Sequence, residues 1–273
     1  MTPSIFRKQI AIPQDHGSWV FIFAPLVIGI LAGGSFGPAT ISLCIAAITA
    51  FLLRQPVTAA IKSYSGRRPR TDLPAARFWV ITYGVIAFLA LAELFVLHDG
   101  YIAWLAIPGV PVFAWHLWLV SRRAERRQAG VEIIATGVLS LAAPAAYWVG
   151  VGHYDPLGWW LWILTWLQSA ASIVYTYLRL EQRDIGEILA RGRQWIMGRR
   201  ALAYTSFNLA FTLVLGQTAV LPHLIFIPFL IQWSETIWGT FNPAVGWKPV
   251  WIGTRQLIVS LLWTISFVVF WRS

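Results

Sequence analysis

The sequence predicts an all-α, polytopic membrane protein of about nine transmembrane helices, and three observations carry that expectation. Only 12% of the residues are charged, where a soluble domain averages about 25%. Apolar segments that meet or approach the length needed for a hydrocarbon core of about 30 Å fill the whole chain. All 21 Lys and Arg residues lie in every second loop between those segments or at a chain end.

The segments run at about 18–36, 39–58, 77–97, 101–120, 131–151, 157–178, 200–217, 219–239 and 255–271, which makes 1–273 a single integral domain. Arg7 and Lys8 precede the first segment. Arg54, Lys62, Arg67, Arg68, Arg70 and Arg77 fall between the second and third, and Arg122, Arg123, Arg126 and Arg127 after the fourth. Arg179, Arg183, Arg191, Arg193, Arg199 and Arg200 follow the sixth, Lys248 and Arg255 the eighth, and Arg272 ends the chain. Loops around Gly37, Asp99, Asp155 and Gln217 carry none. The positive-inside rule then puts the N-terminus in the cytoplasm and, after nine spans, the C-terminus outside a bacterial plasma membrane.

A net charge of +10 belongs to these membrane-flanking loops and to the lipid bilayer, not to a nucleic-acid surface. The lone Cys44 leaves no disulfide framework and no zinc spacing. The first segment is too long for a signal-peptide core and is read as a retained helix. Trp19, Trp79, Trp104, Trp159, Trp160 and Trp271 stand near segment ends as an interfacial belt. Leu53-Arg54 and Leu178-Arg179 open the loops after segments two and six, and Gly66-Arg67 and Gly192-Arg193 follow. Matches this short fit either related halves or chance.

Polar residues inside the segments recur with helical phase. Arg54, Thr58 and Lys62 share one face, as do Glu132, Thr136 and Ser140; Gln168, Ser172, Tyr175 and Arg179; Arg200, Tyr204 and Asn208; and Gln232 with Glu235. Ser and Thr alone would be ordinary interhelical hydrogen bonds of about 0.6 kcal/mol each. Charges within spans are expensive, so Arg54, Glu132, Arg179 and Glu235 point instead to a polar cavity opening to the cytoplasm. Pro56 is expected to kink the second segment beside that stripe. In Pro13-Gln14-Asp15-His16-Gly17-Ser18-Trp19, two readings stand. Asp15 or Ser18 caps the first helix and Trp19 anchors it, or Asp15 and His16 form an acid/base pair. Glu181, Asp184 and Glu187 are spaced for one helical face, among arginines that would pair with them. No Walker loop, dinucleotide fingerprint or His-Glu-x-x-His helix is present.

In its nine spans, inside N-terminus and two large inner loops after spans two and six, the chain resembles the UbiA superfamily of intramembrane prenyltransferases. That resemblance implies a UbiA-like helical bundle and prenyl transfer. The family's Asp-rich motif is replaced here by Arg54-Gln55-Pro56-Val57-Thr58-Ala59-Ala60-Ile61-Lys62. Its second acidic motif is only echoed by Tyr175, Tyr177, Arg179, Glu181, Gln182, Arg183 and Asp184. No cofactor is therefore implied, magnesium included. The motifs are more similar to the YwiC-like family of bacterial membrane proteins. Ile12 through Trp19, Arg54-Gln55-Pro56, Glu132 with Ala143-Pro144, and Tyr175 to Arg179 carry that similarity. It implies an integral membrane protein and names no activity.

The first functional expectation is an isoprenoid or lipid-like ligand with an anionic head. Arg54, Lys62, Arg179 and Arg183 would grip the head, with Thr58, Tyr175, Tyr204, Asn208 and Glu235 lining the cavity. His16, Asp15 and Glu132 are the acid/base groups for any reaction there. A small-solute transporter using Glu132, Glu235 and His16, and a non-catalytic membrane assembly partner, are the alternatives. The sequence names no protein partner.

Overall fold

The structure, a computed structural model, describes residues 6–13, 16–97, 99–122 and 128–272, with His16 by its backbone alone. Helices are the only regular elements among the described residues. They are α1 (Lys8–Ala11), α2 (Val20–Gly33), α3 (Pro38–Tyr64), α4 (Leu73–Val96), α5 (Gly109–Ser121), α6 (Ala129–Ser140), α7 (Ala142–Val151), α8 (Leu157–Asp184), α9 (Arg191–Gln217), α10 (Phe226–Phe241) and α11 (Pro249–Trp271).

By length and composition, 6 helical stretches can cross a membrane: Pro38–Tyr64, Arg70–Val96, Gly100–Ser121, Ala129–Val151, Leu157–Asp184 and Pro249–Trp271. Gly17–Gly33 is a shorter apolar helix. The helices outrun the apolar segments at the basic end. α8 continues six residues past its segment to Asp184, α9 begins at Arg191 and α11 at Pro249. At about 1.5 Å per residue α8 is roughly 42 Å long, against a hydrocarbon core of about 30 Å. The long loop expected after the sixth segment is thus mostly helix, with residues 185–190 as the connection. Glu187 consequently lies beyond the end of α8 and shares no helical face with Glu181 and Asp184. Segment 219–239 also shifts: residues 218–225 form turns and bends, and α10 starts at Phe226.

α8 is the hub, packed by α2, α6, α7, α9, α10 and α11, while α3 packs with α1, α2, α4, α5 and α7. α2 and α7 cross closely because small residues meet there. A Cβ on Gly29 would come within 2.2 Å of the Ala143 carbonyl oxygen, and one on Gly33 within 2.9 Å of Gly150 Cα. Such small-residue contact is how helices associate where the hydrophobic effect is absent. Pro56 sits within an unbroken α3, whereas Pro144 accompanies a break at Leu141 between α6 and α7. Leu141 N–H turns to Val138 O, and Gly137 O accepts the Trp162 indole N–H at 2.8 Å.

Contacts between helix ends tie the basic loops together. Arg67 Nη1 donates to Val120 O at 2.6 Å, and Gly246 N–H donates to Arg183 O. Arg7 pairs with Asp72, which Arg68 approaches at 3.8 Å. At the opposite end Ser35 donates to Gly150 O and Arg272 to Leu31 O.

Candidate functional site

The site grows from two helix faces that meet at the basic end. On α8, Gln168, Ser172, Tyr175, Arg179 and Gln182 follow a repeat of three and four and are all buried. On α10, Gln232, Glu235 and Gly239 face them. Gln232 Nε2 donates to Gln168 O at 3.1 Å and to Ser172 Oγ at 3.0 Å. Tyr175 Oη donates to Glu235 Oε1 at 2.9 Å. Gly239 leaves room for that hydroxyl, since a Cβ there would sit 1.9 Å from it.

Arg179 is 1% exposed. Its Nη1 donates to Gly239 O and Asn242 O, both at 2.7 Å, and to Gln182 Oε1 at 2.9 Å. The two carbonyls belong to the end of α10, so Arg179 caps that helix. The rings of Trp247, Trp238 and Tyr175 surround its guanidinium with centroids at 5.3, 5.5 and 6.0 Å from Cζ. Its Nη2 is buried with no hydrogen-bond partner among the described residues.

Glu235 is held by a second arginine. Arg255 Nε donates to Oε1 at 2.6 Å and Nη2 to Oε2 at 2.8 Å, the fork geometry that makes Arg–carboxylate pairs strong. The Glu235 side chain is 10% exposed and that of Arg255 36%. Trp238 lies flat against Arg255, with Cζ 3.7 Å from the ring centroid. Beside this pair a groove of about 790 Å³ opens between α10, α11 and the loop joining them. Lys248, just before α11, and Trp251, Arg255, Ile258 and Leu262 on it line the groove in order.

The other expected site residues are distributed more widely. Asn208 is buried and donates to Leu167 O at 2.9 Å. Tyr204 is half-buried against the Tyr175 cluster. Glu132 is exposed on α6 and accepts from Tyr177 Oη at 2.8 Å, on another face of α8. Arg183 is half-exposed 3.9 Å from Asp184. Arg54 is half-buried over Phe51, with Cζ 5.6 Å from the ring centroid, and Lys62 is half-buried in the last turn of α3. Thr58 Oγ1 is buried without a hydrogen-bond partner among the described residues. α3, which carries Arg54, Thr58 and Lys62, packs chiefly with α1, α2, α4, α5 and α7, whereas Arg179 stands between α8 and α10. Asp15 lies outside the described residues, as does the side chain of His16. Trp19 occupies the N-cap position of α2 and makes no side-chain cap.

Arg255, Trp238, Trp247 and Lys248 were not expected at the site. The usable signal was Pro249, a residue suited to the first turn of a helix, which puts Arg255 inside α11 rather than in a loop. Among the described residues, no group of three or more His, Cys, Asp or Glu side chains is placed to hold a metal ion.

Residues 12–147 match the family model of YwiC-like proteins. The chain is also 26% identical over 180 residues to the Bacillus subtilis (strain 168) protein described as "Uncharacterized protein YwiC". That alignment covers 63% of this chain and 68% of the relative. The family match includes Asp15, His16, Arg54, Thr58, Lys62 and Glu132 and stops short of α8, α10 and α11. No solved structure matches the chain.

Proposed function

We propose, with the similarity to YwiC-like proteins as premise, that this is a multi-pass protein of a bacterial plasma membrane that binds a lipid-like molecule with an anionic head at its basic end. The reading takes nine spans, adding α2, α9 and α10 to the six longer stretches. The basic end is then cytoplasmic, with the N-terminus inside and the C-terminus outside.

One observation carries the reading: the groove on α11 is graded from charge to hydrocarbon. Lys248, Glu235 and Arg255 stand at its mouth, and Ile258, Val259 and Leu262 continue it along the helix. From Arg255 to Leu262 the axis rises about 10 Å, roughly a third of a hydrocarbon core. A head held by Arg255 and Lys248 would leave its chain lying on those three side chains. Arg54, Thr58, Lys62, Tyr175, Arg179, Arg183, Tyr204 and Asn208 serve this reading as the wider basic-end surroundings.

The reading takes Asp15, His16 and Glu132 as its acid/base groups, and a degenerate UbiA-like bundle is the architecture it prefers. The residues present do not fit a magnesium–diphosphate bridge. The Arg54–Lys62 stretch has no carboxylate, Asp184 faces Arg183, and Glu187 has left the helix. A solute pathway is disfavoured by packing. The polar file of α8 and α10 ends on Leu164, Leu161, Phe229, Trp263 and Phe267, each at most 1% exposed. A transporter must open that end too.

Extraction of lipids that copurify with the protein tests the reading. Anionic lipids should be retained by the wild type and reduced in a Lys248→Ala, Arg255→Ala double variant. Equal retention by both proteins contradicts it.

A further inference from the structure

Arg179 Nη2 is a buried donor with no acceptor among the described residues, and of the two arginines near Glu235 it is Arg255 that holds the carboxylate. Buried unsatisfied polar atoms are rare and call for an explanation. Tyr175 links the three groups. Its hydroxyl bonds Glu235 Oε1 at 2.9 Å, and its ring stands 6.0 Å from Arg179 Cζ.

We propose that Glu235 is a movable counter-ion, held by Arg255 when the groove is empty and passed toward Arg179 Nη2 when an anionic head takes its place on Arg255. This rests on the lipid-binding reading above and names the head it selects. In the resting state Glu235 fills the Arg255 fork, and Lys248, with no ion pair among the described residues, is the other cation of the groove lining. The incoming head must replace a bidentate carboxylate, so it needs two oxygens in fork geometry and comparable charge. Charge matching sets the class. Arg179, Arg255 and Lys248 offer three positive charges, Glu235 supplies one negative, and two remain for the ligand. A phosphate monoester head, which carries ≈ −1.5 to −2 at neutral pH, meets that requirement. A phosphodiester carries a single negative charge and leaves one cation unmatched, and the ammonium of a zwitterionic head adds a further positive charge.

The scaffold suits an exchange of partners. Trp238 holds the Arg255 guanidinium from its face at 3.7 Å, so the arginine keeps its place when the carboxylate leaves. Gly239 gives the Tyr175 hydroxyl room, and that hydroxyl also reaches the Glu235 backbone oxygen at 3.2 Å, so it keeps an acceptor when the carboxylate moves. Arg179 stays anchored through Nη1, leaving Nη2 to receive the carboxylate. No covalent step is involved.

The sign of the Glu235 effect separates this from a plain structural salt bridge. Full-length protein is placed in phosphatidylcholine nanodiscs doped with phosphatidic acid, phosphatidylglycerol or phosphatidylethanolamine, and bound dopant is measured by native mass spectrometry. Wild type should prefer phosphatidic acid. Glu235→Gln removes the competitor and keeps an acceptor for Tyr175, so phosphatidic acid binding should rise about 10-fold, the effect of one desolvated charge pair worth about 1.4 kcal/mol. Glu235→Asp retracts the carboxylate from the fork and should raise binding by a smaller factor, which keeps the test decisive if Glu235→Gln proves unstable. Unchanged or weaker binding in the folded variants overturns the exchange. If Arg255→Ala and Lys248→Ala also leave binding unchanged, the lipid-binding reading falls. If those two lower binding while the Glu235 variants do not raise it, the reading stands and the exchange alone is wrong.

Discussion

At the basic end, tryptophans cover charge: Trp238 lies 3.7 Å from Arg255 Cζ, and Trp238 and Trp247 flank Arg179. Toward the opposite end, tryptophans cover one another. Trp162 stacks on Trp166 at 5.4 Å, Trp159 meets Trp148 edge-on, and Tyr101, Trp104 and Pro108 complete a second groove of about 830 Å³. Four indole donors of that groove are spent within the protein. Trp162 and Trp166 donate to Gly137 O and Ile133 O at 2.8 Å, Trp148 to Asp155 O at 2.6 Å, and Trp159 to Tyr154 Oη at 3.1 Å. Among the described residues, no charged side chain lines that groove. Two grooves of similar volume thus differ in the one property a headgroup reads: only the α10–α11 groove presents cations beside apolar surface. Aromatic enrichment alone marks both, and the ion pair distinguishes them.

The sharpest break in that contrast is Arg179→Met. A buried guanidinium that caps α10 through two carbonyls is removed, so destabilisation of about 3 kcal/mol is expected, read as a large fall in the thermal midpoint in detergent. Gly239→Ala comes next. Its Cβ would fall 1.9 Å from Tyr175 Oη, and displacing that side chain should cost about 2 kcal/mol and abolish any preference for anionic lipid. Gly137→Ala, whose Cβ would meet the Trp166 ring at 2.8 Å, is its counterpart. It should also lower the midpoint while leaving lipid preference intact, since no charge is disturbed. Trp162→Phe should have the smallest effect, about 1 kcal/mol for one lost hydrogen bond, with headgroup preference again unchanged.

Where the polar faces run along a single helix, the sequence was readable. The spacing from Gln168 to Arg179 put those residues on one buried face of α8, and Gln232 with Glu235 proved to be the face opposite. Helical phase is local, so one strand of sequence contains it. Which stripes meet is a matter of packing between helices. Arg54 has the right phase and the right depth, yet α3 packs with α1, α2, α4, α5 and α7, away from α10. Arg255 stands at the very start of the expected ninth segment, 255–271, whereas the helix begins at Pro249 and places it well inside α11. The same error of extent hid the start of α9, since arginine is a good helix former and Arg191 to Arg200 continue the helix past its apolar part. The tryptophan groove depends on the break at Leu141, whose effect on Gly137 O is visible only once Trp162 is seen to reach it.

Photocrosslinking tests the central claim most directly. A phosphatidic acid with a diazirine in its acyl chain is activated on the full-length protein, and labelled residues are mapped by mass spectrometry. The account expects labelling concentrated on Ile258, Val259 and Leu262, and lost from them in Lys248→Ala, Arg255→Ala. Labelling spread evenly over other exposed apolar faces, such as Phe88 and Leu89 of α4, or unchanged in the double variant, would contradict it.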